Sequence, residues 1–543
     1  MSLAGAERRQ TLRRETLLIL IAAGLSPLIF ALYTNHIWED FFITFRHSRN
    51  LCEGHGLVYY PGERVHGFTS PLGTLLPALC YLLTGARSYL GAIWAFRALS
   101  IVAFASGGLL LWRRMRLEEP EWALPRVALA VFYALEVKGV SFSINGMETA
   151  FMLLFLAWQV DLLCRDFPRR WLALGICWGC LMWTRPDGCI YIATLSAADL
   201  VFSERPKRRR LADLLKAALV CTAIYLPWFG WAWWYYGSPV PQTVLAKSNL
   251  VSWAGGSFNP VGRYVTGVAK VFLPIYYEMG DGLGWYPGIF GWCTGLGIFS
   301  AAYWLLPLRD RLGRACSLAF AMIGLYLTML NYMFPWYAPP ALMLGLIVLA
   351  RGVPTLIGLV AGRGRVAGII AGTLLAAIAA ERALMYTYTA YQMKIQTAEV
   401  EMGNRAKLGL WLKKHMQPGD TVYLECVGYI GYFSEARIRD WPGLVAPQVS
   451  ELARREGCDF NSVVPALNPS WVVLRPWEAQ RMAERVTSFT HDYDPVVRFD
   501  VSAQLRAHQF LPGRMYPTND ATFIVFQRRT PNPRNAEPQR PSL

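Results

Sequence analysis

The chain is 543 residues long, 54% hydrophobic and 14% aromatic, with a mean hydropathy of +0.27, which excludes an ordinary soluble enzyme and marks a polytopic membrane protein. The formal net charge of +16 would otherwise suggest nucleic acid. The Lys and Arg residues, however, fall in short clusters between apolar runs, as the positive-inside rule expects, and no basic face with interleaved aromatics marks a nucleic-acid module.

A ruler of ~20 apolar residues per span predicts a topology in chain order. Arg8, Arg9, Arg13 and Arg14 precede the first span, Leu17 to Leu32. They predict a cytoplasmic N-terminus and a retained anchor, since no small-residue cleavage site precedes the acids that follow. Glu39 and Asp40 then emerge outside, with Arg46, His47 and Arg49 beyond them in an external first loop, 34–88. Asp and Glu cost roughly 2.5–3.5 kcal/mol deep in a membrane helix, so a pair at its edge calls for a use. Pro71 to Gly85 is apolar but too short to cross, and reads as a re-entrant or interfacial segment.

The second span, near Tyr89 to Trp112, ends in Arg113, Arg114 and Arg116, and the third runs out to SINGMET at 143–149. The fourth ends inside at RDFPRR, the fifth reaches TRPDG at 184–188, and the sixth returns to SERPKRRR at 203–210. The seventh, Leu211 to Trp234, exits to YYGSPVPQT and an external loop, 235–285. Four more spans follow, near Pro287 to Leu306, before FPWY at 334–337, up to Arg351, and at Val366 to Ala380, giving about eleven in all. The expected fold is therefore mainly α: a transmembrane domain over 1–394, an extracytoplasmic α/β domain over 395–529, and a disordered Pro-rich tail over 530–543. In the α/β domain EVEMGNRAKLGLWLKKHM reads as a helix, and TVYLECV, WVVLR and FIVFQRR read as strands.

The unusual polar segments all fall on the outer face, while the inner loops are short and basic. A transporter would need groups at the midplane reachable from both sides, commonly on matching interrupted helices. No internal repeat of that kind is visible and mid-span charges are nearly absent, so the pattern favours an enzyme over a transporter or flippase.

The stretch WEDFFITFRHSRNLCEGHGLVYYPGERVHGFTSPLGTLL resembles the first external loop of GT-C membrane glycosyltransferases. Within that class it is most similar to the bacterial arabinofuranosyltransferase group, which includes the mycobacterial terminal enzymes. The shared pattern is an acidic pair followed by ITFR, a GHG turn, a PGE, and a G-[YF]-T-[SN]-P segment. SINGMETA, TRPDG, YYGSPVPQTVLAKS, FPWY and GYIGYFSEARIRDWPGLVAP resemble later blocks. Family members often carry Asp-Asp where this chain has Glu39-Asp40. The resemblance implies transfer of a sugar, arabinofuranose before mannose or aminoarabinose, from a polyprenyl-phosphate donor to a glycan, lipid or protein acceptor. It also implies a monomer in the bacterial inner membrane with an extracytoplasmic active site.

Such transfer needs a base for the acceptor hydroxyl and cations for the leaving phosphate. Asp40, with Glu39 beside it, is the expected catalytic acid pair, Asp40 acting as base in an inverting displacement. Arg46, Glu148, Arg185, Asp187, Lys247, Trp336 and Tyr337 are expected on the donor side, with Arg46, Arg185 or Lys247 meeting the phosphate. His55, Glu63 and His66 are expected on the acceptor side. Each has a plainer reading: a solvated helix-end pair for Glu39-Asp40, snorkelling for Arg46 and Arg49, a structural ion pair for Glu148 or Asp187, a loop lysine for Lys247, and interface aromatics for Trp336 and Tyr337.

No metal site is assigned, because His36, His47, His55 and His66 lack close ligand spacing. A divalent cation is left open, with Asp40 and one of His36 or His55 as ligands. Cys177 and Cys180 read as small apolar groups, and Cys426 and Cys458 share the outer domain as a candidate disulfide.

Overall fold

A computed structural model describes residues 3–86, 88–119, 122–204, 206–248, 259–275, 288–330, 333–362 and 364–529. Helix α1 (Leu3–Thr34) leads to α2 (Glu39–Cys52) and α3 (Pro71–Leu83), followed by α4 (Tyr89–Glu118) and the bent pair α5 (Ala123–Leu135) and α6 (Val137–Ile144). Then come α7 (Thr149–Cys164), α8 (Arg170–Thr184), α9 (Gly188–Phe202), α10 (Lys207–Tyr236), α11 (Gln242–Ser248) and α12 (Pro260–Phe272). Helices α13 (Gly288–Ala302), α14 (Arg311–Met329), α15 (Ala338–Val360) and α16 (Arg365–Ile395) complete the bundle.

Every predicted span is helical. Among the described residues seven helices are long and apolar enough to cross a membrane, and an eighth span arises if α5 and α6, bent by 48°, count as one. The remaining three are α7, with 16 residues, and α8 and α9, with 15 each. At 1.5 Å per residue these reach only ~22–24 Å, short of a ~30 Å hydrocarbon core. The chain is a multi-pass membrane protein.

Two expectations change. The segment read as an external loop contains α12, whose Val268, Ala269 and Phe272 are fully buried in the bundle. The terminal carbonyls of a helix lack intrahelical donors; here Lys138 Nζ donates to the carbonyls of Lys270 and Val271 at 2.8 and 2.9 Å. Arg382 Nη2 donates to that of Phe272 at 3.0 Å. Residues 249–258 and 276–287 of that loop, and the tail read as disordered, lie outside the described residues.

The second change concerns charge within the bundle. Glu136 at the α5–α6 bend pairs with Arg382 at 2.9 Å, and Glu381 pairs with Arg382 at 2.5 Å. Buried charge is therefore present, with Arg382 paired to two acids and used to close the end of α12.

The C-terminal region begins without a break. A π-helical stretch, Gln396–Ala406, carries α16 directly into α17 (Lys407–His415), so EVEMGNRAKLGLWLKKHM continues the last span instead of starting afresh. The sheet that follows has the order β2-β1-β3-β5-β4, with β1 (Thr421–Leu424), β2 (Arg437–Asp440) and β3 (Trp471–Leu474) parallel, and β5 (Thr522–Arg528) and β4 (Tyr493–Asp500) antiparallel. Helices α18 (Tyr429–Ser434), α19 (Pro447–Glu456), α20 (Val463–Leu467) and α21 (Pro476–Arg485) connect or cover it. All eleven cysteines are free. Cys426 packs in one core cluster and Cys458 against another, which removes the candidate disulfide.

The first loop and the sheet domain are sewn together. Arg46, 1% exposed, donates from Nη1 and Nη2 to the carbonyls of Gly431 (2.8 Å) and Ala436 (2.9 Å), with its guanidinium 4.2 Å from the Tyr59 ring centre. Tyr59 donates its hydroxyl to the Val427 carbonyl, and Tyr429 donates its own to the Ile37 carbonyl. Gln242 of α11 adds Nε2 donations to the Gly443 carbonyl and Ser450 Oγ.

Candidate active site

The acidic pair sits where α1 turns into α2. Asn35 adopts the left-handed region at φ 43°, which asparagine tolerates better than most residues. Arg97 locks that turn, donating to Asn35 Oδ1 (2.7 Å), the His36 carbonyl (2.7 Å) and the Ile144 carbonyl (2.8 Å). Trp38 N–H donates to the Asn145 carbonyl at 2.8 Å. Helix α2 then starts with Glu39 and Asp40 in its first turn, where the positive end of the helix dipole favours carboxylates.

The two acids face different neighbours. Glu39 pairs with Arg405 at 2.7 Å and accepts from the Gly428 N–H at 3.2 Å. Burial pushes its carboxyl up to about 8, against the pull of Arg405, with Glu401, Asp520 and Glu425 adding to the rise. Asp40 is half-buried, and its carboxylate has no hydrogen bond or ion pair among the described residues. Burial raises its pKa, Lys247 and Arg185 lower it, and Glu425 raises it.

Opposite Asp40 stand residues from four distant segments. Arg185, at the end of α8, donates from Nε and Nη2 to the two Asp187 oxygens (2.8 and 3.3 Å) and from Nη1 to Glu148 Oε1 (3.1 Å). Its guanidinium also lies 5.1 Å from the Tyr337 ring centre. Burial raises the pKa of Glu148, and Arg185 counteracts it. The Lys247 ammonium sits 4.6 Å from the Phe334 ring centre and 5.4 Å from that of Trp336, without a carboxylate at ion-pair distance among the described residues. Burial lowers its pKa, and Asp40 opposes this. Trp336 stacks on Phe334 at 4.5 Å and meets Trp38 edge-on at 5.7 Å. Among the described residues the arrangement is an acid with open oxygens, an ammonium held by ring faces, and a guanidinium fixed between two acids.

The structure thus brings together Asp40, Glu148, Arg185, Asp187, Lys247, Trp336 and Tyr337. It takes the other named residues elsewhere. Arg46 is sealed under the sheet domain. Glu63 pairs with Arg437 and Arg439. His66 is buried and stacked 4.7 Å from Tyr236, and burial drives it down to about 3. His55 is exposed. His36 is fully buried with Nδ1 against Thr397 Oγ1 at 2.9 Å. Among the described residues no three His, Cys, Asp or Glu side chains converge as metal ligands.

Missing from the sequence reading is a set from the sheet domain: Arg405, Glu425, Arg475 and Asp520. Arg405 pairs with Glu401 at 2.9 Å and with Asp520, and Arg475 pairs with Asp520 (2.5 Å), Glu425 (2.6 Å) and Glu478 (2.6 Å). The signal available was position: Glu425 and Arg475 each follow a parallel strand directly, at the carboxyl edge where α/β sheets carry their ligands.

Comparison with known proteins agrees with this architecture. A family model described as a domain of unknown function (DUF8728) matches residues 388–525. A terminal beta-(1->2)-arabinofuranosyltransferase of Mycobacterium tuberculosis (strain ATCC 25618 / H37Rv) is 26% identical over 309 residues, 50% of this chain and 48% of that protein, so the chain spans about half the length of the relative it matches. The archaeal oligosaccharyltransferase AglB from Archaeoglobus fulgidus, in complex with an inhibitory peptide and a dolichol-phosphate, superposes with a TM-score of 0.53 at 13% identity, covering 85% of this chain and 69% of that one. ArnT from Cupriavidus metallidurans in the apo state gives 0.51 at 12% identity, covering 95% and 98%. The chain has the GT-C fold.

Proposed function

We propose that this protein is a GT-C glycosyltransferase that moves a sugar, arabinofuranose by its likeness to the mycobacterial enzyme, from a polyprenyl-phosphate carrier to an acceptor hydroxyl at the outer face of the bacterial plasma membrane. The observation that carries the reading is Asp40: a carboxylate with open oxygens, at a helix start, facing Lys247 and Arg185 from separate parts of the chain. Asp40 takes the acceptor hydroxyl's proton as that oxygen bonds to the anomeric carbon. The bond from the anomeric carbon to the phosphate oxygen breaks on the opposite side, inverting the centre. The negative charge left on the polyprenyl phosphate falls to Lys247, whose ammonium is not spent on a carboxylate among the described residues. Arg185, held between Glu148 and Asp187, shapes the same wall with much of its charge balanced. Trp336 and Tyr337 border the cations, and AglB's complex with a dolichol-phosphate supports a lipid-linked donor for this fold.

Asp40→Asn tests the reading, with transfer from a polyprenyl-phosphate arabinofuranose measured in detergent. Loss of a positioned base lowers turnover by roughly 10²–10⁴-fold. Near-normal turnover in that variant removes Asp40 as base.

A further inference from the structure

Glu425 and Trp477 are absorbed neither by the donor wall nor by the sheet core. Glu425 follows β1 at the carboxyl edge of the sheet, and three residues later the Gly428 N–H donates to Glu39, the neighbour of Asp40. This edge therefore abuts the start of α2. The Glu425 side chain is 44% exposed. Its Oε2 accepts from Arg475 Nη2 at 2.6 Å, while Oε1 has no partner among the described residues.

Trp477 is the second residue of α21, directly after Arg475 and Pro476, and is 43% exposed. The Arg481 guanidinium lies 5.1 Å from its ring centre and that of Arg475 lies 6.0 Å away. A tryptophan beside a salt-bridge network, outside the core clusters of the described residues, leaves much of a large apolar area in water.

We propose that Glu425 and Trp477 form the acceptor subsite, and that the acceptor is an uncharged sugar presenting neighbouring hydroxyls. The proposal rests on the transfer reading above and names the acceptor class for it. A carboxylate with one oxygen fixed by a guanidinium and the other open accepts hydroxyl donors in a set direction. An exposed indole offers a flat apolar surface to the C–H face of a sugar ring. The surroundings disfavour other acceptors. Arg405 and Arg475 are already committed to Glu39, Glu401, Glu425, Glu478 and Asp520, so no guanidinium of that network is left over to bind an anionic acceptor. A lipid alcohol would need an apolar groove where the structure has acids and arginines. The Gly428 N–H contact to Glu39 sets this edge beside the start of α2, so a sugar held here has a hydroxyl within reach of Asp40.

The experiment measures binding of a linear arabinofuranosyl tetrasaccharide to the full-length protein by calorimetry, together with transfer kinetics from polyprenyl-phosphate arabinofuranose. Glu425→Gln and Trp477→Ala should each weaken tetrasaccharide binding and raise its KM about tenfold, with the donor KM moving less than twofold. Trp477→Phe, which keeps a ring, should retain most of the affinity. Equal tetrasaccharide affinity in wild type and both variants overturns the subsite, as does a wild type that ignores the tetrasaccharide but glycosylates a long-chain alcohol. Wild-type binding that both variants lose, without any sugar transfer, overturns the enzymatic reading while leaving a sugar-binding site.

Discussion

Replacing Arg405 with Met probes how the sheet domain is joined to the acidic helix. Arg405 is 2% exposed and serves Glu39, Glu401 and Asp520 together. Removing one partner of a buried ion pair costs about 3–5 kcal/mol, because the other charge is stranded. The three acids do not lose equally. Glu39, already pushed up to about 8 by burial, takes a proton and gives up little. Asp520 keeps Arg475. Glu401, 1% exposed, keeps only the Gln396 amide at 2.9 Å, and carries most of the penalty. The cost therefore falls at the low end, about 3 kcal/mol.

For a cooperative unit of this domain's size that is a drop of roughly 12 °C in Tm, at ~4 °C per kcal/mol. Thermal unfolding in detergent measures it. Adding Glu401→Gln should restore about 1–2 kcal/mol by removing the stranded charge. A drop under ~3 °C, or a double variant less stable than Arg405→Met alone, would refute the reasoning.

The pH dependence of kcat/KM should be bell-shaped, since Asp40 must be ionised and Lys247 charged. Burial raises Asp40 above the ordinary aspartate value, moving the acid limb up, and lowers Lys247 below the ordinary lysine value, bringing the alkaline limb down. Lys247→Arg should shift only the alkaline limb upward; an unmoved limb contradicts the assignment. Arg46→Lys should destabilise the protein by about 2 kcal/mol, because lysine cannot span two carbonyls with a planar fork. Its donor KM should stay within twofold in steady-state assays, and a selective rise in that KM would return Arg46 to the donor site.

Much of the cluster around Asp40 was legible because most of its members lie at the ends of apolar runs. Glu148, Arg185, Asp187 and the FPWY block are each polar or aromatic where a span stops, Lys247 lies on the short helix α11 just beyond one, and the bundle folds these segments toward one another. Arg46 shows the limit of that logic. A basic residue on an amphipathic helix looks the same whether it meets a phosphate or two carbonyls 385 and 390 positions away. Glu63 and His66 were misleading for the same reason, their partners being Arg437, Arg439 and Tyr236.

The joint with the sheet domain was hidden by distance and by continuity. Arg405 and Asp520 are 115 positions apart, and the helix through 396–406 carries no Gly or Pro break to mark a boundary except Gly403. Strand β2 is four residues with charges at three of them, and β4 contains Pro495. Both therefore lack the alternating pattern that exposes a half-buried strand.

The most direct measurement is a density map of the protein with a polyprenyl phosphate bound. The account predicts the phosphate against Lys247 Nζ, with Asp40 across the cleft from it and Glu425 behind. A phosphate held elsewhere, or Asp40 cut off from the lipid's headgroup, would contradict it.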